Sequence, residues 1–313
     1  MRQEFRATAN DHGRRLETVV RKLLPRLGLA PLHRSMRRGD IRLNGKKATP
    51  ETKVCEGDTV EIWDALLGGS GVGAKPENRR SLGGLPFEES WILFQSEDFL
   101  VINKPSGLLV QGDKSGEQSL DDLVKIRLAT GMEPSLSFRP GPLHRLDRPT
   151  SGIVVFSASL RGARKFTQAM VDGEVYKVYW ALLQGELSRT LALESPLTRD
   201  EVRKLTFVDP EGRASHTQFV PLVHAGGLTL TEVRIATGRT HQIRAHARQA
   251  GFPLAGDSKY SARPWPRSAP RPWFLHARRL ECGLLPPLEA AVDLATVQYL
   301  ASSLKVFFPH TDQ

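Results

Sequence analysis

Cysteine is almost absent from this chain. Cys55 and Cys282 are its only two in 313 residues, far apart and in no C-x-x-C arrangement. That pattern excludes both a disulfide framework and a thiolate zinc site, and it fits a reducing compartment. Long apolar runs are missing as well: no stretch approaches the roughly 20 apolar residues of a membrane helix. Met1 to Asn10 carries no apolar segment of the secretory kind, and Glu4 and Asp11 weaken a mitochondrial address. A cytoplasmic protein is expected. Neither G-x-G-x-x-G nor a P-loop occurs, so no nucleotide or redox cofactor is expected. No internal repeat is evident.

Acidic residues are scarce near the start. From Arg14 to Lys47 only Glu17 and Asp40 oppose Arg14, Arg15, Arg21, Lys22, Arg26, Arg34, Arg37, Arg38, Arg42, Lys46 and Lys47. Over the whole chain 44 Lys and Arg face 34 Asp and Glu, a net charge of +10, which favours a polyanionic partner. The composition, 40% hydrophobic and 25% charged, is otherwise that of a globular protein. The length fits one large domain with a small appendage.

In the basic stretch Leu16, Val19, Val20, Leu23 and Leu24 recur at helical spacing. Pro25 ends that helix, Pro31 can open a second one to Arg38, and Gly39 stops it. Ile41 to Leu43 and Lys46 to Ala48 flank Asn44-Gly45, the dipeptide suited to a type I′ hairpin turn, and Thr59 to Trp63 reads as another strand. Arg34, Arg37, Arg38, Lys46 and Lys47 can each replace a phosphate counterion, giving affinity for nucleic acid without sequence readout. A merely solvated face is the other reading of such a run. Residues 64–85 hold Gly68-Gly69-Ser70-Gly71, Gly73 and Gly83-Gly84 and read as a flexible linker. The appendage is thus expected over residues 13–63 and the main domain over 86–308.

Beyond the linker, strand-like runs dominate: Trp91 to Phe94, Phe99 to Asn103, Ile153 to Ser157, Val175 to Leu183, Thr217 to Leu222 and Leu228 to Ile235. Helices are expected over Leu120 to Thr130 and Leu160 to Val171, the second with Leu160, Ala163, Thr167 and Met170 inward. This pattern predicts an α+β domain with flanking helices around a mainly antiparallel mixed sheet. One polar loop stands out between Pro142 and an apolar strand: His144-Arg145-Leu146-Asp147-Arg148-Pro149-Thr150-Ser151-Gly152. Loops held by a sheet are where reactive groups are usually placed. A turn in which Asp147 and Thr150 cap local backbone would use the same residues.

The pattern H-R-L-D-x-x-T-S-G resembles the catalytic motif of the RluA-type pseudouridine synthases. Further matches follow in order: Leu100 to Val110, Lys177 to Gly185, Gly238 to Tyr260 and Phe274 to Leu280. The stretch from about Gly13 to Trp63 resembles the S4 RNA-binding domain. The resemblance is closest to members acting on large-subunit ribosomal RNA. It implies a pseudouridine synthase domain behind a small S4-like α/β domain, an RNA partner and no metal or other cofactor. A monomer is expected. A transfer RNA enzyme and a non-catalytic RNA-binding or ribosome-assembly protein are the alternatives.

The resemblance also implies roles. Asp147 would be the nucleophile that attacks the target uridine. Arg145 would enter the RNA stack in place of the flipped base, and Tyr179 would pack against that base or take its proton. Tyr176, three residues earlier, belongs to the opposite face of the same strand. Arg244 would pair with Asp147, holding its charge and orientation. His144, Thr150 and Ile243 join Arg145 in the substrate-binding group. His144, like His276, reads as a hydrogen-bonding residue and not as an acid or base, and Ile243 as pocket wall or core. Asn103 to Gly107 reads as a tight turn supporting the loop. Thr240 is expected to cap a helix running to Ala250, with Gly251 ending it. On such a helix His241 and His246 lie about 140° apart, unlike two metal ligands on one face. Pro149 and the Arg- and Pro-rich stretch from Arg263 to Arg271 are candidates for shaping the choice of uridine.

Overall fold

The computed structural model describes residues 1–68, 86–129, 135–260 and 269–305. In the N-terminal unit the helices Leu16–Leu23 and Leu29–Arg38 bury Leu16, Val19, Val20, Leu32 and Met36 against a small sheet. Gly39 ends the second helix in the left-handed conformation, φ +87°. Asn44 and Gly45 both have positive φ, 51° and 76°, as a type I′ turn requires. The return strand expected at Lys46 to Ala48 amounts to one bridge, Leu43 to Lys46. Strand Ile41–Leu43 instead pairs with Thr59–Trp63, which on its other side takes Arg2–Arg6.

The unit therefore begins well before Gly13. It also runs past Trp63, because Asp64–Leu67 forms a short helix whose Leu67 lies in the same core. Residues 64–67 were expected in the linker; Gly-rich composition over a long window hides two leucines that can bury. Positions 69–85 of that linker lie outside the described residues. Arg34, Arg37, Arg38, Lys46 and Lys47 are all exposed, with Arg38 paired to Asp40 at 2.7 Å.

The two units share buried hydrogen bonds. The Asp11 carboxylate is fully buried. It accepts from Ser137 N at 2.9 Å, Ser137 Oγ at 2.7 Å, Ser135 Oγ at 2.8 Å and Leu136 N at 3.0 Å. Burial works against the charged carboxylate, but these donors outweigh it, so the pKa of Asp11 is lowered.

The main sheet runs Leu191–Leu193, Thr217–Ala225, Leu228–Ile235, Tyr176–Gln184, Leu275–Glu281, Ser151–Ser157, Phe99–Lys104, Ile92–Gln95. Neighbours along this order are antiparallel except at one seam, where Leu275–Glu281 lies parallel to Ser151–Ser157. The expected α+β class with a mainly antiparallel mixed sheet is what is found. Every residue of Ser151–Ser157 is buried, as suits a strand covered on both faces.

The seam depends on a glycine. Gly152 has φ +107°, and a Cβ there would stand 2.3 Å from the carbonyl oxygen and 2.6 Å from the nitrogen of Ala277. Gly152→Ala is expected to destabilise the fold by more than about 2 kcal/mol. Backbone strain alone is worth about 1–3 kcal/mol, and the overlap with a neighbouring strand adds to it. A urea melt checks this, and an unchanged midpoint would mean that the seam tolerates a side chain.

Helix Leu160–Val171 forms as expected but turns a different face inward: Leu160, Gly162, Phe166 and Ala169 are buried, while Thr167 is exposed. The cause is close approach. A Cβ at Gly162 would lie 2.4 Å from the Asp98 carbonyl oxygen, so the helix touches the sheet's connecting loop there and brings Phe166 under it. Arg161, Arg164 and Lys165 stay exposed.

Candidate active site

The polar loop ends at the parallel seam. A turn closes from Thr150 N to the Asp147 carbonyl at 3.0 Å, and the chain then enters strand Ser151–Ser157. The segment after strand Phe99–Lys104 fastens this turn from outside. Gly107 N donates to the Arg148 carbonyl at 2.9 Å, Arg148 Nε returns a bond to the Gly107 carbonyl at 2.9 Å, and Ser106 Oγ donates to the Pro149 carbonyl at 2.7 Å.

Lys104 is fully buried beneath it. Its Nζ donates to the carbonyls of Pro105 at 2.9 Å, Leu108 at 2.8 Å and Arg148 at 3.2 Å. Three acceptors match the three N–H bonds of an ammonium. Burial, aided by Arg271 and opposed by Asp147, pushes its pKa down to about 7. Lys104→Met should therefore cost roughly 2 kcal/mol in stability, the order of a buried acceptor left without its donor. Because Arg148 adjoins Asp147, it should also lower kcat more than KM. Equal kcat in the two proteins would show that the clamp does not position the loop.

Asp147 is held from one side. Its Oδ2 accepts from Arg244 Nη1 at 2.8 Å, while Arg244 Nε and Nη2 donate to Asp257 at 2.6 and 2.9 Å. The guanidinium lies 4.8 Å from the Tyr260 ring centre and 4.4 Å from that of Trp273. Burial works against the Arg244 cation, but Asp257 and Asp147 outweigh it and its pKa is raised. Arg244 is 4% exposed and Asp257 0%, whereas the Asp147 side chain keeps 27%. The other carboxylate oxygen of Asp147 has no hydrogen bond among the described residues, and the residue lines the cleft.

Helix Gln242–Gln249 brings Arg244 here, but its start differs from expectation. His241, in the left-handed conformation at φ 55°, occupies the N-cap position without a side-chain capping bond. The Thr240 carbonyl accepts from Thr206 Oγ1 at 2.8 Å. Gly251 follows the helix with φ +80°. His241 Nδ1 lies 3.0 Å from Tyr260 Oη, which itself accepts from Thr206 N at 2.8 Å. The ring thus sits between Tyr260 and Asp147, with Nε2 3.8 Å from Asp147 Oδ1. Burial, opposed by Asp147, pushes the His241 pKa down to about 4, so the ring is neutral. His246 points elsewhere, to Thr217 Oγ1 at 2.8 Å and the Ser195 carbonyl at 3.0 Å.

Tyr179 stands on the same row of the sheet as the seam: it is opposite Ala277, and Ala277 is opposite Gly152. It is buried, and burial together with Asp147 raises its pKa, whereas Tyr176 is 61% exposed. Ile243 is at once core and cleft wall. Thr150 is buried, with an Oγ1 that has no hydrogen-bond partner among the described residues. His144 Nε2 accepts from Val155 N at 3.2 Å and its ring stacks on Phe166; burial holds its pKa well below the usual value. His276 Nε2 donates to the Ala290 carbonyl at 3.0 Å and Nδ1 meets Ser151 Oγ at 2.8 Å, with its pKa pushed by burial to about 4. Arg145 is exposed at the cleft.

The cleft measures about 990 Å³ and, among the described residues, is lined by seven basic side chains, Arg145, Arg148, Lys177, Arg199, Arg239, Arg244 and Lys259, against two acidic ones, Asp147 and Glu201. Arg34, Arg37, Arg38, Lys46 and Lys47 are not on its wall. Of the Arg- and Pro-rich stretch, residues 261–268 lie outside the described residues, while Arg271 is buried and donates to Ser151 Oγ at 2.8 Å. His241, Asp257, Tyr260 and Trp273 belong to the site although sequence reasoning gave them no role there.

Residues 98–249, which carry Asp147, Tyr179 and Arg244, match the RNA pseudouridylate synthase family. That match and the relatives that follow identify the chain as an RNA pseudouridine synthase. The synthase is 29% identical over 252 residues to the ribosomal large subunit pseudouridine synthase C of Vibrio vulnificus, covering 80% of this chain and 78% of that one. It is 29% identical over 284 residues to the protein of that name from Escherichia coli strain K12, covering 88% and 86%. Human RNA pseudouridylate synthase domain containing 4 has a similar fold, with a TM-score of 0.57 at 24% identity over 71% of this chain and 95% of that one. The synthase is thus an isomerase acting on RNA. Among its described residues no helix is long and apolar enough to cross a membrane.

Proposed function

We propose that this synthase converts uridine to pseudouridine in large-subunit ribosomal RNA, with Asp147 as its nucleophile. The observation that carries this reading is the Asp147 carboxylate, one oxygen bound by buried Arg244 and the other without a hydrogen bond among the described residues, in a basic cleft beside a buried tyrosine. In the reaction the N1–C1′ bond breaks and a C5–C1′ bond forms. One proton leaves C5 and one is taken up at N1, so nothing is oxidised. A fixed nucleophile lets the base detach, turn and reattach through an enzyme-bound intermediate.

The neighbours have distinct parts in this proposal. Arg244 orients the carboxylate. Tyr179 packs against the base; its raised pKa keeps the phenol protonated, which favours packing over service as a tyrosinate. Arg145 stacks into the RNA where the uridine leaves, offsetting part of an extrusion cost of roughly a few kcal/mol. Thr150, His144 and Ile243 shape the pocket. The N-terminal unit, S4-like in sequence, contributes phosphate contacts through Arg34, Arg37, Arg38, Lys46 and Lys47. The choice of large-subunit RNA is supported by the relatives of that name.

The test maps pseudouridines in total RNA from cells lacking the gene, complemented with wild type or with Asp147→Ala. Wild type should restore at least one large-subunit site and the variant none. Restoration confined to transfer RNA would overturn the substrate, and restoration by both proteins would overturn the nucleophile.

A further inference from the structure

We infer that Lys177 forms a phosphate-binding subsite in the active-site cleft, receiving a backbone phosphate of the RNA next to the uridine at Asp147. The inference rests on the function proposed above. Among the described residues four Lys or Arg side chains are buried: Lys104, Lys177, Arg244 and Arg271. Three are fully provided for. Lys104 has three carbonyls, Arg244 two carboxylates, and Arg271 has Asp293, Thr296 Oγ1 and Ser151 Oγ.

Lys177 differs. It is 8% exposed, and the one hydrogen-bond partner of its Nζ among the described residues is the thioether sulfur of Met170 at 3.3 Å. A thioether is a weak acceptor, and an ammonium has three donors to satisfy. Burying a cation without an anion or good acceptors is costly, so such a group is normally paired. Burial alone lowers its pKa, to about 8, which leaves it mostly charged at neutral pH.

The position explains what could complete it. Lys177 and Tyr179 are two residues apart on one strand and so share a face, and both line the cleft with Asp147. Gly238 has no side chain, and a Cβ there would meet nothing closer than Lys177 Nζ at 3.7 Å, so space is left beside the ammonium. The neighbouring His144 brings no negative charge, and burial holds its pKa well below the usual value. A nucleotide that enters the cleft brings its flanking phosphates, each a monoanion that a lysine binds as a point charge. The missing partner of Lys177 would then arrive with the substrate.

The test compares wild type, Lys177→Met and Lys177→Arg. Each is also placed in an Asp147→Asn background so that bound RNA is not converted. The probe is a transcribed fragment of large-subunit ribosomal RNA containing the mapped uridine, and its Kd is measured across a salt series. Lys177→Met should fold with an unchanged or higher Tm, since it removes an uncompensated charge. It should bind several-fold to tenfold more weakly near 0.1 M salt, with a log–log salt slope smaller by roughly 0.7 to 0.9, the value of one phosphate contact. Lys177→Arg should retain most of the slope.

Three results would overturn the inference: unchanged affinity and slope, weaker binding at an unchanged slope (a neutral oxygen as partner), or a lower Tm accompanying the loss (a structural cation). Failure of the proposed function looks different, because it appears as conversion by Asp147→Asn or as no conversion by wild type.

Discussion

Replacing Asp147 with alanine is expected to lower the rate of pseudouridine formation by at least about 10⁴-fold, because loss of the proposed nucleophile is not made good by the groups around it. The same change should hardly affect stability. Arg244 remains paired through two hydrogen bonds to Asp257, so no buried charge is left alone. Asp147 itself is partly exposed. A shift of less than about 1 kcal/mol in a urea melt is therefore expected, in keeping with a partly solvent-screened pair. Single-turnover kinetics and the melt together check this. Activity within a hundredfold of wild type would place the nucleophile elsewhere.

Arg244→Met should do the opposite to stability. Asp257 has no exposed surface, and among the described residues both hydrogen bonds to its carboxylate come from nitrogens of Arg244. Removing one member of a buried pair typically costs about 3–5 kcal/mol, because the other charge is left without compensation. That is a large share of the roughly 5–15 kcal/mol that holds a typical domain together. Activity should fall with it, since Asp147 loses the group that orients it. The double variant Arg244→Met with Asp257→Leu separates the two effects. It should recover much of the urea midpoint, as replacing a whole buried ion pair by apolar groups is often neutral, yet stay inactive. Recovery of activity in the double variant would show that Arg244 acts only on stability.

The contrast between these variants follows from which carboxylate is buried, and the sequence contains no sign of that. Asp257 sits in a turn after Gly256 and looks like any loop acid. It matters because Arg244, thirteen positions earlier, faces it across the helix end. On a continuous helix His241 would lie about 140° from His246. That angle does not apply, since His241 is outside the helix in a left-handed conformation, and this is what turns its ring toward Asp147. Lys104 read as part of a turn. Its side chain folds back to carbonyls as far as Arg148, a contact between strand end and loop that no local pattern encodes.

Local signals were dependable where the cause is local. Gly39 ends its helix because a left-handed residue is needed there, and Asn44-Gly45 turns because both residues accept positive φ. The inward face of Leu160–Val171 departs from its periodicity because it is set by Asp98, on another segment, against which only glycine can pack.

By itself, then, the sequence determined which acid to examine, which tyrosine and arginine accompany it, the α+β class and the basic character of the first unit, since motif order, strand runs and charge are written along the chain. Only the tertiary structure decided which oxygen of Asp147 is free, how Arg244 is held and why Lys177 is left without an anion. Those depend on partners up to 97 positions apart, which meet where Gly152 lets two strands pass in contact.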